Sequence, residues 1–116
     1  MTVPVFYVLD GHTPVAVDDM DAWARMMEGE RHVAFDEVAP GVEVSTVFLG
    51  VDHNFSGRGP PLLFETMVFS EDDGGETHRY STWQEAEDGH KAVADRLRRN
   101  LVETVGWLRK HLKYDC

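Results

Sequence analysis

Two apolar runs, Val44–Val51 and Leu62–Phe69, stand either side of a loop, HNFSGRGPP, that is rich in turn residues. Short apolar runs bounded by Gly, Pro and Ser read as strands, and two in succession across a turn read as an antiparallel pair. A third and more polar run, Thr77–Ser81, follows the acidic turn Glu71–Gly75 and extends the pair to a three-stranded meander. The first run fixes more than this. Side chains alternate across a strand, so Val44, Thr46 and Phe48 point one way and Ser45, Val47, Leu49 and Val51 the other. Both sides turn apolar after Ser45. Such a strand is covered on both faces, or lies under a helix on one face and against a partner on the other.

The rest of the chain supplies the cover. Val3–Leu9 alternates like a strand, and Asp10–Val17 reads as a loop. Asp18 or Asp19 caps a short helix, DMDAWARMMEG, whose Ala22, Trp23, Met26 and Met27 make one apolar face before Gly29 stops it. Arg31–Val38 reads as a strand, and Pro40-Gly41 turns into the central one. After the meander, Ser81 or Thr82 caps a helix with Gln84 or Glu85 as the reciprocal partner. Apolar residues then recur at Trp83, Ala86, His90, Val93, Leu97, Leu101, Val105, Leu108 and Leu112, one stripe along a helix over 82–113. The expected fold is α+β, a single domain over 1–116. Its antiparallel sheet has four to five strands in the order β-α-β-β-β-β-α, with a short helix and a long amphipathic one.

That last helix is too long for its domain. Thirty residues span about 45 Å, and a compact chain of this length is about 30–35 Å across. Either the helix breaks, at Gly89 or Gly106, or its end overhangs and its stripe needs a cover. On the second outcome Val105, Leu108 and Leu112 are left bare. Val102 and Trp107 add apolar surface off the stripe, so these five form an association surface, and a two-fold helix pair is one way to bury it.

Charge sorts along the same division. Residues 1–90 hold four Lys/Arg against 18 Asp/Glu, whereas residues 91–116 hold seven against three. An acidic body is repelled by nucleic acid and drawn to basic surfaces. Asp72, Asp73 and Glu76 are the acids expected to face such a partner. No direct nucleic-acid contact and no membrane span are expected. The N-terminus lacks the features of a signal peptide, and the single cysteine, Cys116, allows no internal disulfide.

The segments VSTVFLGVDHNF, PPLLFETMVF and RYSTWQEAEDGH together resemble a group of small uncharacterised phage and prophage proteins, over Pro14–His90. The resemblance implies a phage-type accessory protein made in a bacterial cytoplasm. It carries over no catalytic residue, and Lys91–Cys116 falls outside it.

Chemistry has few footholds. Asp52, His53, Glu65, His78 and His90 offer nitrogen and oxygen ligands for a divalent metal, but without the HxxxH, HxH or Cys-pair spacing that marks a site. Glu65 with His53 or His78 is the acid–base set a small metal-assisted hydrolase would use. The plainer reading pairs Glu65 with Arg79 or leaves it exposed at the sheet's rim, ends a loop with His53, makes His78 a half-exposed strand residue, and makes His90 a hydrogen-bonded core residue. HNFSGRGPP lacks the helix and the Lys-Ser/Thr ending of a phosphate loop. No catalytic residue and no cofactor are assigned. The function expected is stoichiometric binding, either to a host protein with a basic or nucleic-acid-binding surface, in the manner of anti-CRISPR and other anti-defence proteins, or to a second copy. A metal-assisted hydrolase and a homo-oligomeric structural protein are the alternatives.

Overall fold

The computed structural model describes residues 5–71 and 75–112 of the chain, for Leu112 the backbone alone. The elements are β1 (Phe6–Asp10), β2 (Thr13–Val17), α1 (Met20–Glu28), β3 (His32–Ala39), β4 (Val42–Phe48), β5 (Phe64–Phe69), β6 (Thr77–Tyr80) and α2 (Trp83–Leu112). The class is α+β, as the pattern predicts. The meander is there, extended by one strand: β3-β4-β5-β6 form one antiparallel sheet in chain order.

One side of that sheet is the core. Val44, Thr46 and Phe48 of β4 and Phe64, Thr66 and Val68 of β5 are all buried, and α2 lies over them. Two clusters mark its course. Ala86 packs with Phe48, Leu63 and Phe64, while Val93 and Ala94, flanked by Leu97, pack with Val44 and Val68. The helix therefore runs along the strands rather than across them. Each large apolar side chain buried here contributes about 1.5–3 kcal/mol, which makes this stripe the main source of stability.

The first strand pairs elsewhere than in the main sheet. Asp10–Val17, expected as a loop, contains β2, which folds back on β1 in register Phe6↔Val17 to Asp10↔Thr13. Gly11, at φ 64°, and His12 make the two-residue turn, and glycine at its first position supplies the positive φ that such a hairpin needs. Pro14 obscures the strand, although a two-stranded ribbon has a free edge where proline is tolerated. The ribbon docks on the end of the core through a backbone bond from Tyr7 N to Gly50 O (2.9 Å) and through the ring of His12, stacked 3.8 Å from Trp83.

Asp19 is the cap of α1, its carboxylate accepting from the backbone N–H groups of Asp21 and Ala22. Trp23 donates its indole N–H to Gly50 O (3.0 Å). Gly50 has φ 77°, and a Cβ there would lie 2.7 Å from Met27 Sδ and 2.8 Å from Trp23 Nε1. Only glycine meets both demands.

At the start of α2 the reciprocal cap is Thr82 with Glu85: Thr82 Oγ1 accepts from Glu85 N, and Glu85 Oε1 accepts from Thr82 N, both at 3.1 Å. The helix passes through Gly89 and Gly106 without a break and is 30 residues long. Neither glycine is a stop, because glycine inside a helix costs only about 1 kcal/mol and the stripe outweighs it. The molecule measures 66 × 29 × 23 Å. Among the described residues no helix is long and apolar enough to cross a membrane.

Candidate functional site

The candidate ligands do not converge. Asp52 folds its own loop, Oδ1 accepting from the backbone N–H of Asn54 (2.7 Å) and of Leu62 (2.8 Å). His53 Nδ1 lies 2.9 Å from Val51 O. Glu65 accepts from Arg79 Nε at 2.9 Å, across a directly registered β5–β6 pair. His78 Nε2 sits 2.6 Å from Glu76, which also pairs with Arg96. These two contacts hold the Glu76 carboxyl below its ordinary range, with the Arg96 hydrogen bond the larger cause. Among the described residues no group of three or more His, Cys, Asp or Glu is placed to hold a metal ion.

His90 is the exception in having a constellation of its own. From β3, Asp36 Oδ2 meets His90 Nε2 at 2.7 Å; from β4, Thr46 Oγ1 meets His90 Nδ1 at 2.7 Å. Thr46 in turn lies 2.5 Å from Thr66 on β5, and Tyr80 of β6 donates its hydroxyl to Thr66 at 3.1 Å. Arg98 donates to the other Asp36 oxygen (3.2 Å). All four strands and α2 are thus tied through one polar chain. Its Asp-His-Thr order is that of a nucleophile with its base and orienting acid. The chemistry needs a substrate beside the hydroxyl, however, and both threonines are fully buried with 0% exposure. The chain satisfies buried polar groups and fixes the strands in register; it is not an active site. The Asp36 carboxyl is held below its ordinary range, first by the hydrogen bond from His90 and then by Arg98. Asp36, Thr46, Thr66 and Tyr80 are not readable from spacing, because the contacts join four strands and a helix up to 54 residues apart.

A groove of about 730 Å³ lies between the β1–β2 ribbon and the start of α1. Its walls are apolar (Phe6, Ala16, Val17, Ala22) apart from Asp18 and Asp19, and Asp19 is occupied as the helix cap. Among the described residues it brings no histidine, hydroxyl, thiol or cation beside Asp18.

Two surfaces are left unfinished. The first is the face of the sheet opposite α2, against which no other described element makes an extended contact. Phe35 and Phe69 are 52% and 48% exposed there, beside half-buried Val47 and Met67. This is the second outcome that the two-sided apolarity of β4 allows: a helix on one face and, among the described residues, no element packed on the other. Glu37 and Glu43 stand opposite each other at its rim. Like charges directly across a strand pair repel, and neither carboxylate has an ion-pair partner among the described residues.

The second is the end of α2. Val102, Val105, Trp107 and Leu108 are 71, 46, 57 and 39% exposed. Trp107 lies off the stripe, stacked on His111 at 4.2 Å. The Leu112 side chain and Asp72 and Asp73 lie outside the described residues. Glu76, expected as a free acid for a partner, is instead engaged within the chain by Arg96 and His78.

The site that this fold defines is a pair of uncovered surfaces on a helix-over-sheet α+β protein. Compared with protein-family models, with curated proteins and with solved structures, the chain matches none.

Proposed function

We propose that this protein is a phage-type accessory protein of the bacterial cytoplasm that works by stoichiometric protein–protein binding and not by catalysis. One observation carries the reading: the apolar centre and unpaired acidic rim of the open sheet face, Phe35, Val47, Met67 and Phe69 beside Glu37 and Glu43. A bare apolar patch of this kind marks an interaction surface. Its rim, and the excess of acids over residues 1–90, select a partner that is apolar at its centre and basic around it. A nucleic-acid-binding surface of a host protein has that character, so an anti-defence role of the anti-CRISPR kind fits the reading.

The test compares wild type with Phe35→Glu as bait and as isolated protein. The expected result is a complex of fixed stoichiometry, with itself or with a basic protein, that weakens as salt rises and that Phe35→Glu loses while its thermal melt is retained. A wild-type chain that remains alone and captures nothing that Phe35→Glu fails to capture overturns the proposal.

A further inference from the structure

The two unfinished surfaces match each other. We infer that the end of α2 beyond Thr104 is received by the open sheet face of a second copy, in a reciprocal pair where each chain gives one arm and accepts one. The inference rests on the binding reading above and names the partner.

The exit of the helix sets the geometry. Leu97, Leu101 and Thr104 line a cleft with Val42 and Ser70, at the ends of β4 and β5. Beyond that point the arm has left its own sheet. Consider a two-fold axis in the plane of the sheet, just past those strand ends and perpendicular to the strands. It turns a second copy over, so that the second sheet continues the plane of the first with its open face under the first copy's arm. The same rotation carries the second arm beneath the first sheet. Each sheet then lies between its own α2 and its partner's arm.

Three features fit this arrangement. The first is length: residues 105–112, beyond the cleft, span about 12 Å at 1.5 Å each, enough to lie over about four residues of a strand such as β5 at 3.3 Å each. The second is phase. Leu101, Val105 and Leu108 continue the stripe that Ala86, Val93 and Leu97 begin, so the face turned to the chain's own sheet is also the face turned to the partner's. A helix meant for solvent has no use for that continuity.

The third is charge. Arg98 reaches Asp36 on β3 within its own chain. Arg109 is eleven residues further on, about three turns of helix, and so projects toward the same side. Two-fold rotation keeps that side, which brings Arg109 over β3 of the partner, where Glu37 faces Glu43 without a cation. A like-charge pair that is unfavourable in one chain is neutralised in two.

Absolute mass in solution, by light scattering, tests this. Wild type should give twice its 13.2 kDa. Leu108→Glu on the arm and Phe35→Glu on the face should each give folded monomers, with the melt retained. Mixed together, these two should recover a heteropair, because the Phe35→Glu chain still offers a sound arm and the Leu108→Glu chain a sound face. Arg109→Glu and Glu37→Arg should each weaken the pair and in combination restore it. Pairing of Phe35→Glu that persists while Leu108→Glu dissociates would show helix ends pairing with each other and overturns the inference. A monomeric wild type that still captures a basic protein through Phe35 removes this inference and leaves the binding reading standing. A monomer without such capture removes both.

Discussion

At the scale of single side chains, His90 carries the most consequence. Tyr80 donates to Thr66. If Thr66 then donates to Thr46 and Thr46 to His90 Nδ1, the Nε2–H is left to donate to Asp36, and both threonine hydroxyls give once and accept within the chain. Breaking the chain strands a buried group. Thr46→Val and His90→Phe should each lower stability by about 1–3 kcal/mol in urea denaturation, without altering assembly. The acid limb of stability follows from Asp36 and Glu76. Both carboxyls are held below their ordinary values of 3.8 and 4.5, so the unfolded chain takes up these protons first. Their contribution is fully present above those ordinary values and is lost as pH falls through the lower folded ones. Asp36→Asn should therefore be less stable than wild type at neutral pH and decline less steeply on acidification. A urea midpoint measured against pH shows whether the two curves converge.

Among the elements, α2 separates two glycines that look alike in sequence. A Cβ on Gly106 meets nothing within 4 Å, whereas one on Gly89 would lie 2.3 Å from the ring of Tyr80. Gly106→Ala should stabilise the helix by about 0.5–1 kcal/mol. Gly89→Ala should destabilise the protein despite the same gain in propensity, because Tyr80 must move and loses Thr66. Paired thermal melts read the opposite signs directly. This difference marks how far the sequence could be read. The stripe of α2, its Thr82–Glu85 cap, the Asp19 cap and the Glu65–Arg79 pair are legible, since helical period, capping pattern and strand alternation are local. The β1–β2 ribbon is not among them: Asp10–Val17 is expected as a loop, although Gly11 carries the signal of a tight hairpin turn. What holds Gly89 and surrounds His90 is not legible either, because those contacts depend on how α2 lies over β3–β6. The open face was half legible: the apolarity of Val47 and Leu49 says that something covers them, while the placement of Phe35 against Ser45 and of Phe69 against Glu43 on that face appears only once the strands are in register.

For the whole molecule, the division between body and arm governs behaviour. If the arm docks on a second copy as inferred above, a chain ending at Thr104 should keep its melt and lose association, as differential scanning and light scattering can show together. Rising salt should weaken a complex with a basic partner chiefly by slowing its formation, the mark of charge-guided encounter. The overhang also governs friction. The radius of gyration is 18.3 Å, against about 13 Å for a compact chain of this length. A single copy will therefore leave a sizing column well ahead of its mass. Two copies laid arm over sheet set their bodies end to end, so pairing doubles the mass and also lengthens the particle, while each arm, lying over the partner's sheet, adds no length of its own. Sedimentation and elution volume will then both register the pair, and taken together they report its mass and its elongation.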